Sequence, residues 1–388
     1  MELHREGAAG LSELDGLELP VTPTRVVFGR GALAHVGLRT GEYGRRALLV
    51  CGRGAMRRHG VLDAVVGALQ ATDITVTLFD GVPANPTSAE ADRAVALAVE
   101  DRCDVVIGLG GGSAIDAAKA AAVGVERGPV GPLVGTTLEA SGGALPLIAV
   151  PTTAGSGSEV TKGATVTDVA RRLKAGIRGP DLFPRVALID PVLLGTVPAG
   201  VAAESGFDAL AHAVEGLAAR RSDPLTRALA LRAVELVGVH LPKVAAGDRS
   251  AQAQDGMALA ALLGGWNVAL AGTCLPHRMQ QAMGGLTHGA ALPHGRGLAI
   301  LYPAWLEQAA PYAPERFAAA ARALGGTDIH TEVARLRQVC GLTGGLRDQG
   351  FTEADIATMR AAVTGNLGND PIPSPGPDSV ERIYRACV

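Results

Sequence analysis

Asp208 and His212 stand four residues apart in Glu204-Ser-Gly-Phe-Asp208-Ala-Leu-Ala-His212-Ala-Val-Glu215, and further histidines follow at His277, His288 and His294. On a helix, residues at i and i+4 project from one face. A carboxylate and an imidazole placed so can share one divalent cation, and two histidines from a later helix and loop would complete a four-ligand set. One oxygen and three nitrogens suit Fe²⁺ or Zn²⁺ rather than Ca²⁺, which takes oxygens. An isolated Asp-x3-His is more often the polar stripe of an ordinary helix. Here a nucleotide-type glycine loop lies upstream and favours the metal.

That loop is Val106-Ile-Gly108-Leu-Gly110-Gly111-Gly112-Ser113-Ala-Ile-Asp116-Ala-Ala-Lys119, read as strand, turn and helix. Consecutive glycines let a backbone approach a ligand closely, and the first N–H groups of the helix then face outward with the dipole behind them. The geometry suits a pyrophosphate, with Ser113 either donating to it or capping the helix. The spacing is not the usual G-x-G-x-x-G, and a tight turn without ligand would also use it. A second loop, Pro151-Thr152-Thr153-Ala-Gly155-Ser156-Gly157-Ser158-Glu159-Val160-Thr161, follows another apolar run and offers hydroxyls and bare amides. Two such loops at the ends of parallel strands open into one crevice.

The elements that must position these groups divide the chain. Short apolar runs at Arg25-Val-Val-Phe, Arg46 to Cys51, Thr75 to Asp80, Val105 to Leu109 and Leu147 to Val150 read as strands. A helical period over Ser88 to Asp101, opened by Ser88 as N-cap, separates two of them. Alternating strands and helices predict a parallel α/β sheet. After about residue 196 the signal is helical, over 199–219, 223–240, 250–270, 314–324, 329–340, 352–364 and 379–387, with no convincing strand. The expected organisation is a loosely held tail over 1–18, a dinucleotide-binding α/β domain with a parallel sheet over 19–195, and an all-α metal and substrate domain over 196–388. Gly365 to Asp378, rich in Gly, Pro and Asp, reads as a surface loop.

Of 388 residues, 47% are apolar but only 3% aromatic, so the core must be built from small and branched side chains. A net charge of −3 without a basic run makes nucleic acid and anionic membrane poor partners. No apolar stretch reaches the length of a membrane span, and the start lacks an apolar signal segment. The five cysteines are scattered, as in a reduced cytoplasmic protein.

Taken together, the Gly-Gly-Gly-Ser-x2-Asp-x2-Lys loop, the Pro-Thr-Thr-Ala-Gly-Ser-Gly-Ser-Glu-Val-Thr loop, Asp-Ala-Leu-Ala-His-Ala-Val-Glu and the late Pro-His-Gly resemble the iron-containing (group III) alcohol dehydrogenase superfamily. The similarity runs over about residues 20 to 388. It implies a dinucleotide-binding α/β domain, a helical domain, and metal and substrate in the cleft between. It implies metal ligands Asp208, His212, His277 and His294, which are also the catalytic centre. It places the phosphate loop on Gly110, Gly111, Gly112 and Ser113, with Asp116 in the same motif. The nicotinamide side falls on Thr152, Thr153 and Ser156, and a ribose-holding lysine falls on Lys174.

Three departures bear on that transfer. Family members space the last two ligands more closely than the 17 residues between His277 and His294, so His288 competes for the last place. Many members carry a second histidine four residues after the third ligand, where this chain has Gln281; a glutamine cannot titrate, so a proton relay there must use water. Gly52 stands where NAD-preferring members often have Asp. Its side chain cannot repel a 2′-phosphate, and Arg53 could pair with one, which points to NADP while leaving NAD open.

The resemblance implies reversible hydride transfer between a nicotinamide cofactor and a small alcohol or aldehyde, or a hydroxy or oxo acid. Fe²⁺ or Zn²⁺ would act as Lewis acid on the substrate oxygen. Lys162 and Arg278 could attract a carboxylate or phosphate, or serve only as surface and packing cations. The competing expectations are a metal-independent reductase of maleylacetate type, a lyase similar to dehydroquinate synthase, and a silent nucleotide sensor. Homodimer formation through edge strands follows from the family by analogy.

Overall fold

The computed structural model describes residues 22–140, 142–286 and 292–388; the expected tail over 1–18 and the competing ligand His288 lie outside the described residues. The strands are β1 (Arg25–Phe28), β2 (Arg46–Gly52), β3 (Thr75–Val82), β4 (Val105–Gly110), β5 (Leu147–Pro151), β6 (Gly163–Asp168), β7 (Leu173–Arg178) and β8 (Val186–Ile189). Six of them form one sheet in the order β1-β8-β5-β4-β2-β3, and every neighbouring pair is parallel. The central strands are covered on both faces, which is why their sequences are continuous apolar runs. Leu49, Ile107 and Val150 enter the core on one side of the sheet, and Leu48, Val50 and Val106 enter the other.

Helices α1 (Val36–Gly41), α2 (Ala55–Arg58), α3 (Val61–Gln70), α4 (Ser88–Glu100) and α5 (Gly112–Arg127) belong to this α/β lobe. Ala114, Ala117, Ala118 and Ala121 are all buried on α5, so the helix lies close against the sheet and its N-terminus is carried to the end of β4. The cap of α4 is Thr87, one residue before the expected Ser88. Thr87 forms a reciprocal capping box with Glu90, the two-way pairing that Ser88 lacks the spacing to make.

β6 and β7 form an antiparallel hairpin that is not among the strands expected from sequence. Ala164, Val166, Ala175 and Ile177 fill a small core beneath it. Strand alternation then puts Lys174, Gly176 and Arg178 on its other face.

Helices α6 (Ala199–Ala218), α7 (Pro224–Ala245), α8 (Ala251–Leu270), α9 (Leu275–Gly284), α10 (His294–Ala309), α11 (Pro314–Ala323), α12 (Ile329–Val339), α13 (Glu353–Ala362) and α14 (Pro377–Cys387) build the second lobe. Their shared core runs from Phe207 through Tyr302 and Trp305 to Phe317, with edge-on or tilted rings 5.1–5.7 Å apart. No single helix among the described residues is long and apolar enough to cross a membrane. The segment read as a surface loop, Gly365 to Asp378, is partly interior: Asn369, Asp370 and Ile372 are buried. Its polar residues face inward because they bond backbone that other elements leave unpaired. Asp370 accepts from the N–H groups of Leu275 and Ile372 and from the Trp305 indole, at 2.8, 2.9 and 3.1 Å.

Candidate metal and cofactor site

Helix α6 presents Asp208 and His212 on one face, and both are buried. Helix α9 brings His277 to the same point, and His294 arrives as the first residue of α10. Gly295 makes that arrival possible: a Cβ there would lie 1.8 Å from the Glu204 carbonyl oxygen of α6. The three rings converge on a single atom. Asp208 Oδ1 lies 3.6 Å from His212 Nε2, 3.4 Å from His277 Nε2 and 3.4 Å from His294 Nε2. The ligand atoms of Asp208, His277 and His294 lie within 4.8 Å of one another, while His212 stacks on His277 at a ring separation of 4.4 Å.

The outward nitrogens are all tied to acceptors. His277 Nδ1 is 2.7 Å from Glu215 Oε1, and His212 Nδ1 is 3.2 Å from the Gly155 carbonyl. His294 Nδ1 meets Gln280 Oε1. A carboxylate and a backbone carbonyl only accept, so Nδ1 of His277 and of His212 carries the proton and Nε2 faces Asp208. Asp208 Oδ1 and His277 Nε2 are buried without a hydrogen bond in the protein. Buried polar atoms left unpaired are costly, and a cation among them resolves the cost. The residues therefore fit a transition-metal ion of one-oxygen, three-nitrogen type.

Electrostatics follow the same arrangement. Burial works to raise the Asp208 carboxyl, but the surrounding imidazoles outweigh it and hold the group well below the usual range. Burial pushes His212 down to about 4, and it lowers His294 as well. His277 moves the other way, because the Glu215 carboxylate overcomes burial and lifts it to about 9. Metal binding requires the His277 Nε2 lone pair, so that lift makes binding pH-dependent.

The cofactor candidates lie along the carboxyl ends of β2, β4 and β5. Gly110 ends β4, Gly111 is the N-cap of α5 and Gly112 its first residue. A Cβ on Gly112 would lie 2.7 Å from Ser156, so the glycine loop and the Thr152–Ser156 loop touch. Thr152 is buried, and its N–H bonds the Gly110 carbonyl at 2.9 Å; Thr153 is half-buried beside it. Ser113 donates its hydroxyl to the Ala84 carbonyl rather than capping α5. Asp116 bonds within the protein. Its two oxygens are consumed by Ser158 Oγ at 2.6 Å and Thr165 N–H at 2.8 Å, so it ties α5 to the second loop and to the hairpin. It is half-buried, one helical turn inside the N-terminus of α5. Gly52 ends β2, and exposed Arg53 donates through Nε to the Gly81 carbonyl at 3.1 Å.

Lys174 is buried on the cleft side of β7, with Nζ 2.9 Å from Asn85 Oδ1, and burial lowers it to about 8 against the pull of Asp116 and Asp208. Arg278, next to His277, is held down to about 10 by burial and by the nearby Arg178 guanidinium. Lys162 is exposed. Gln281 is half-buried, and no hydrogen bond of its side chain appears among the described residues.

Sequence reasoning gives no role to Glu215, Gln280 or Asp370. A signal existed for the first: Glu215 is seven residues after Asp208 and three after His212, on the same helical face.

Comparison with known proteins gives the family. The family model for iron-containing alcohol dehydrogenase matches residues 23–191, and that for the Fe-containing alcohol dehydrogenase C-terminal region matches 202–388. The chain is 35% identical over 311 residues to a choline dehydrogenase of Bacillus subtilis (strain 168), covering 78% of this chain and 75% of that one. It is 32% identical to a 1,3-propanediol dehydrogenase of Klebsiella pneumoniae, over 90% of this chain and 94% of that one. The crystal structure of an archaeal halo-thermophilic alcohol dehydrogenase from a Red Sea brine pool superposes with a TM-score of 0.88 at 26% identity, covering 94% of this chain and 97% of that one. The protein belongs to the iron-containing alcohol dehydrogenase family.

Proposed function

We propose that the protein transfers a hydride reversibly between a small alcohol or aldehyde and NADP(H), using one Fe²⁺ or Zn²⁺ held by Asp208, His212, His277 and His294. The observation that carries this reading is the convergence of three Nε2 atoms on the unpaired Asp208 Oδ1, with each ring fixed from behind. The ion supplies Lewis acidity at the substrate oxygen.

The chain's own groups do the rest. Glu215, Gly155 and Gln280 hold the rings in orientation, and Asp208 lowers the net charge of the site. Gly110, Gly111, Gly112 and Ser113 bring helical N–H groups towards the pyrophosphate. Thr152, Thr153, Ser156 and Lys174 flank the nicotinamide half. In oxidation, alcohol and NADP⁺ give aldehyde, NADPH and one proton. Gln281 cannot carry that proton, so it leaves through water or a ribose hydroxyl. NADP is favoured over NAD by Gly52, which presents no carboxylate, and by Arg53, whose remaining nitrogens have no partner among the described residues. A homodimer joined through an edge strand of the sheet, β1 or β3, accords with the same reading.

The test is turnover after reconstitution with Fe²⁺ or Zn²⁺, comparing NADH and NADPH over small aldehydes and oxo acids. Activity should vanish on chelation and return with the ion. Full activity in the chelated protein would instead establish a metal-independent reductase.

A further inference from the structure

The four candidate ligands are not held alike. The side chains of Asp208, His212 and His277 are 7% exposed or less, whereas that of His294 is 32% exposed. Asp208 and His212 stand in the middle of α6, with helical hydrogen bonds on both sides of them. His277 lies in the first turn of α9, and the carboxylates of Glu215 and Asp370 fix that turn through the N–H groups of Cys274 and Leu275. His294 is the first residue of α10. That helix opens on Pro293 with no side-chain cap and no acidic residue in its first turn, so its start is not fixed from within.

Two side-chain hydrogen bonds from this turn reach other elements among the described residues. His294 Nδ1 meets Gln280 Oε1 of α9, but the Gln280 Nε2 is buried without a partner, so that residue adds no second tie. The other bond is from Arg296 Nε to Glu204 Oε1, at 2.8 Å. Glu204 belongs to α6, one turn before Asp208 and on the same face. Helix α6 thus offers two carboxylates to the first turn of α10, Asp208 to His294 and Glu204 to Arg296. The backbones meet at the same place, since a Cβ on Gly295 would lie 1.8 Å from the Glu204 carbonyl oxygen. Both partners are half-buried, so the pair is screened less than one on the open surface. Neither has another ion-pair partner among the described residues.

We propose that the Glu204–Arg296 pair is a latch. It keeps the start of α10 on α6, and so sets how firmly His294, the last ligand, is held at the metal position. This rests on the metal reading above and adds what governs retention of the ion. An ion gripped by several protein groups is released one group at a time, and the least enclosed group lets go first. Opening the first turn of α10 allows that first step, while the other three ligands stay assembled on α6 and α9. Glu204 and Arg296 are positioning residues that act through His294.

The test loads the full chain with Zn²⁺ and follows release to a chromophoric chelator. E204Q and R296M should each speed release by about tenfold, the lower end of what groups behind a metal ligand contribute. The double variant should be no faster than either single one, because both changes break one contact. R296K, which keeps the charge, should recover part of the loss. In ¹⁵N-histidine spectra of the zinc-loaded single variants, the His294 signal should shift or broaden while those of His212 and His277 hold. Unchanged release, losses that add in the double variant, or all three signals moving together would overturn the latch. Should R296M not fold, the near-isosteric E204Q carries the same readouts. If the wild type takes up no Zn²⁺, the metal reading fails separately, and amide hydrogen exchange of the metal-free protein tests the latch. E204Q should speed exchange over the first two turns of α10 and leave α9 unchanged. Equal rates in the wild type and E204Q would count against it.

Discussion

Glu215 spends its two oxygens on one helix: Oε1 is 2.7 Å from His277 Nδ1, and Oε2 takes the Cys274 N–H at 2.6 Å. A single carboxylate therefore orients the ring and fixes the first turn of α9 that carries it. Asp370 supports the same turn through the Leu275 N–H. Groups that bond the outer nitrogen of a ligand histidine usually change metal affinity by about 10- to 100-fold. Glu215→Gln should weaken metal binding by that order, measured by competition with a chromophoric chelator. Unchanged affinity would remove Glu215 from the site.

His212→Ala should cost turnover more than about a hundredfold, beyond the loss that a partner behind a ligand causes. Cofactor affinity, followed by nicotinamide fluorescence, should hardly change. A variant with full rate would mean that His212 only packs against His277.

Gly112→Ala places a methyl 2.7 Å from Ser156 and must push the two loops apart. Cofactor Kd should rise by roughly tenfold, about 1.4 kcal/mol, with metal content unaltered. An unaltered Kd would show that the crevice between these loops is not where the cofactor binds.

Gly52→Asp adds a carboxylate at the end of β2. The NADPH to NADH ratio of kcat/KM should fall by roughly tenfold or more, the worth of about 1.4 kcal/mol. A constant ratio would place the 2′-phosphate elsewhere.

Glu159 is buried, and burial raises its carboxyl from 4.5 to about 7. Between those values the folded state binds more protons than the unfolded state, so stability falls as pH rises from 4.5 to 7 and levels off above. The loss from this group is of order 3 kcal/mol. Glu159→Gln should flatten that part of the profile, measured by urea unfolding at pH 5 and pH 8. Parallel profiles for the two proteins would refute it.

Much of the α/β lobe is legible because its central strands are buried on both faces and read as plain apolar runs. The hairpin is not. Its two strands are short, and β7 alternates apolar Leu173, Ala175 and Ile177 with Lys174, Gly176 and Arg178, so charge on one face hides a strand whose Lys174 is nonetheless buried. Helices α9 and α10 escape for a related reason. They open with Leu-Pro-His-Arg and His-Gly-Arg-Gly, where proline, glycine and histidine serve close packing and the cluster at Asp208. The Asp208–His212 pair is visible from spacing alone. His277 and His294 are not, since they arrive from elements separated by tertiary folding. Asn369 and Asp370 look like loop polarity and are buried, because their partners are backbone groups far away in sequence. Asp116 carries a second role that motif membership does not suggest: it ties α5 to Ser158 and to the Thr165 N–H.

The Gly155 carbonyl belongs to the loop beside the nucleotide crevice, yet it accepts from His212. Any ligand that displaces this peptide also rotates an imidazole in the neighbouring lobe. Filling one pocket then alters the affinity of the other, and the influence must be equal in both directions. The two halves of the site would then be coupled through a single bond.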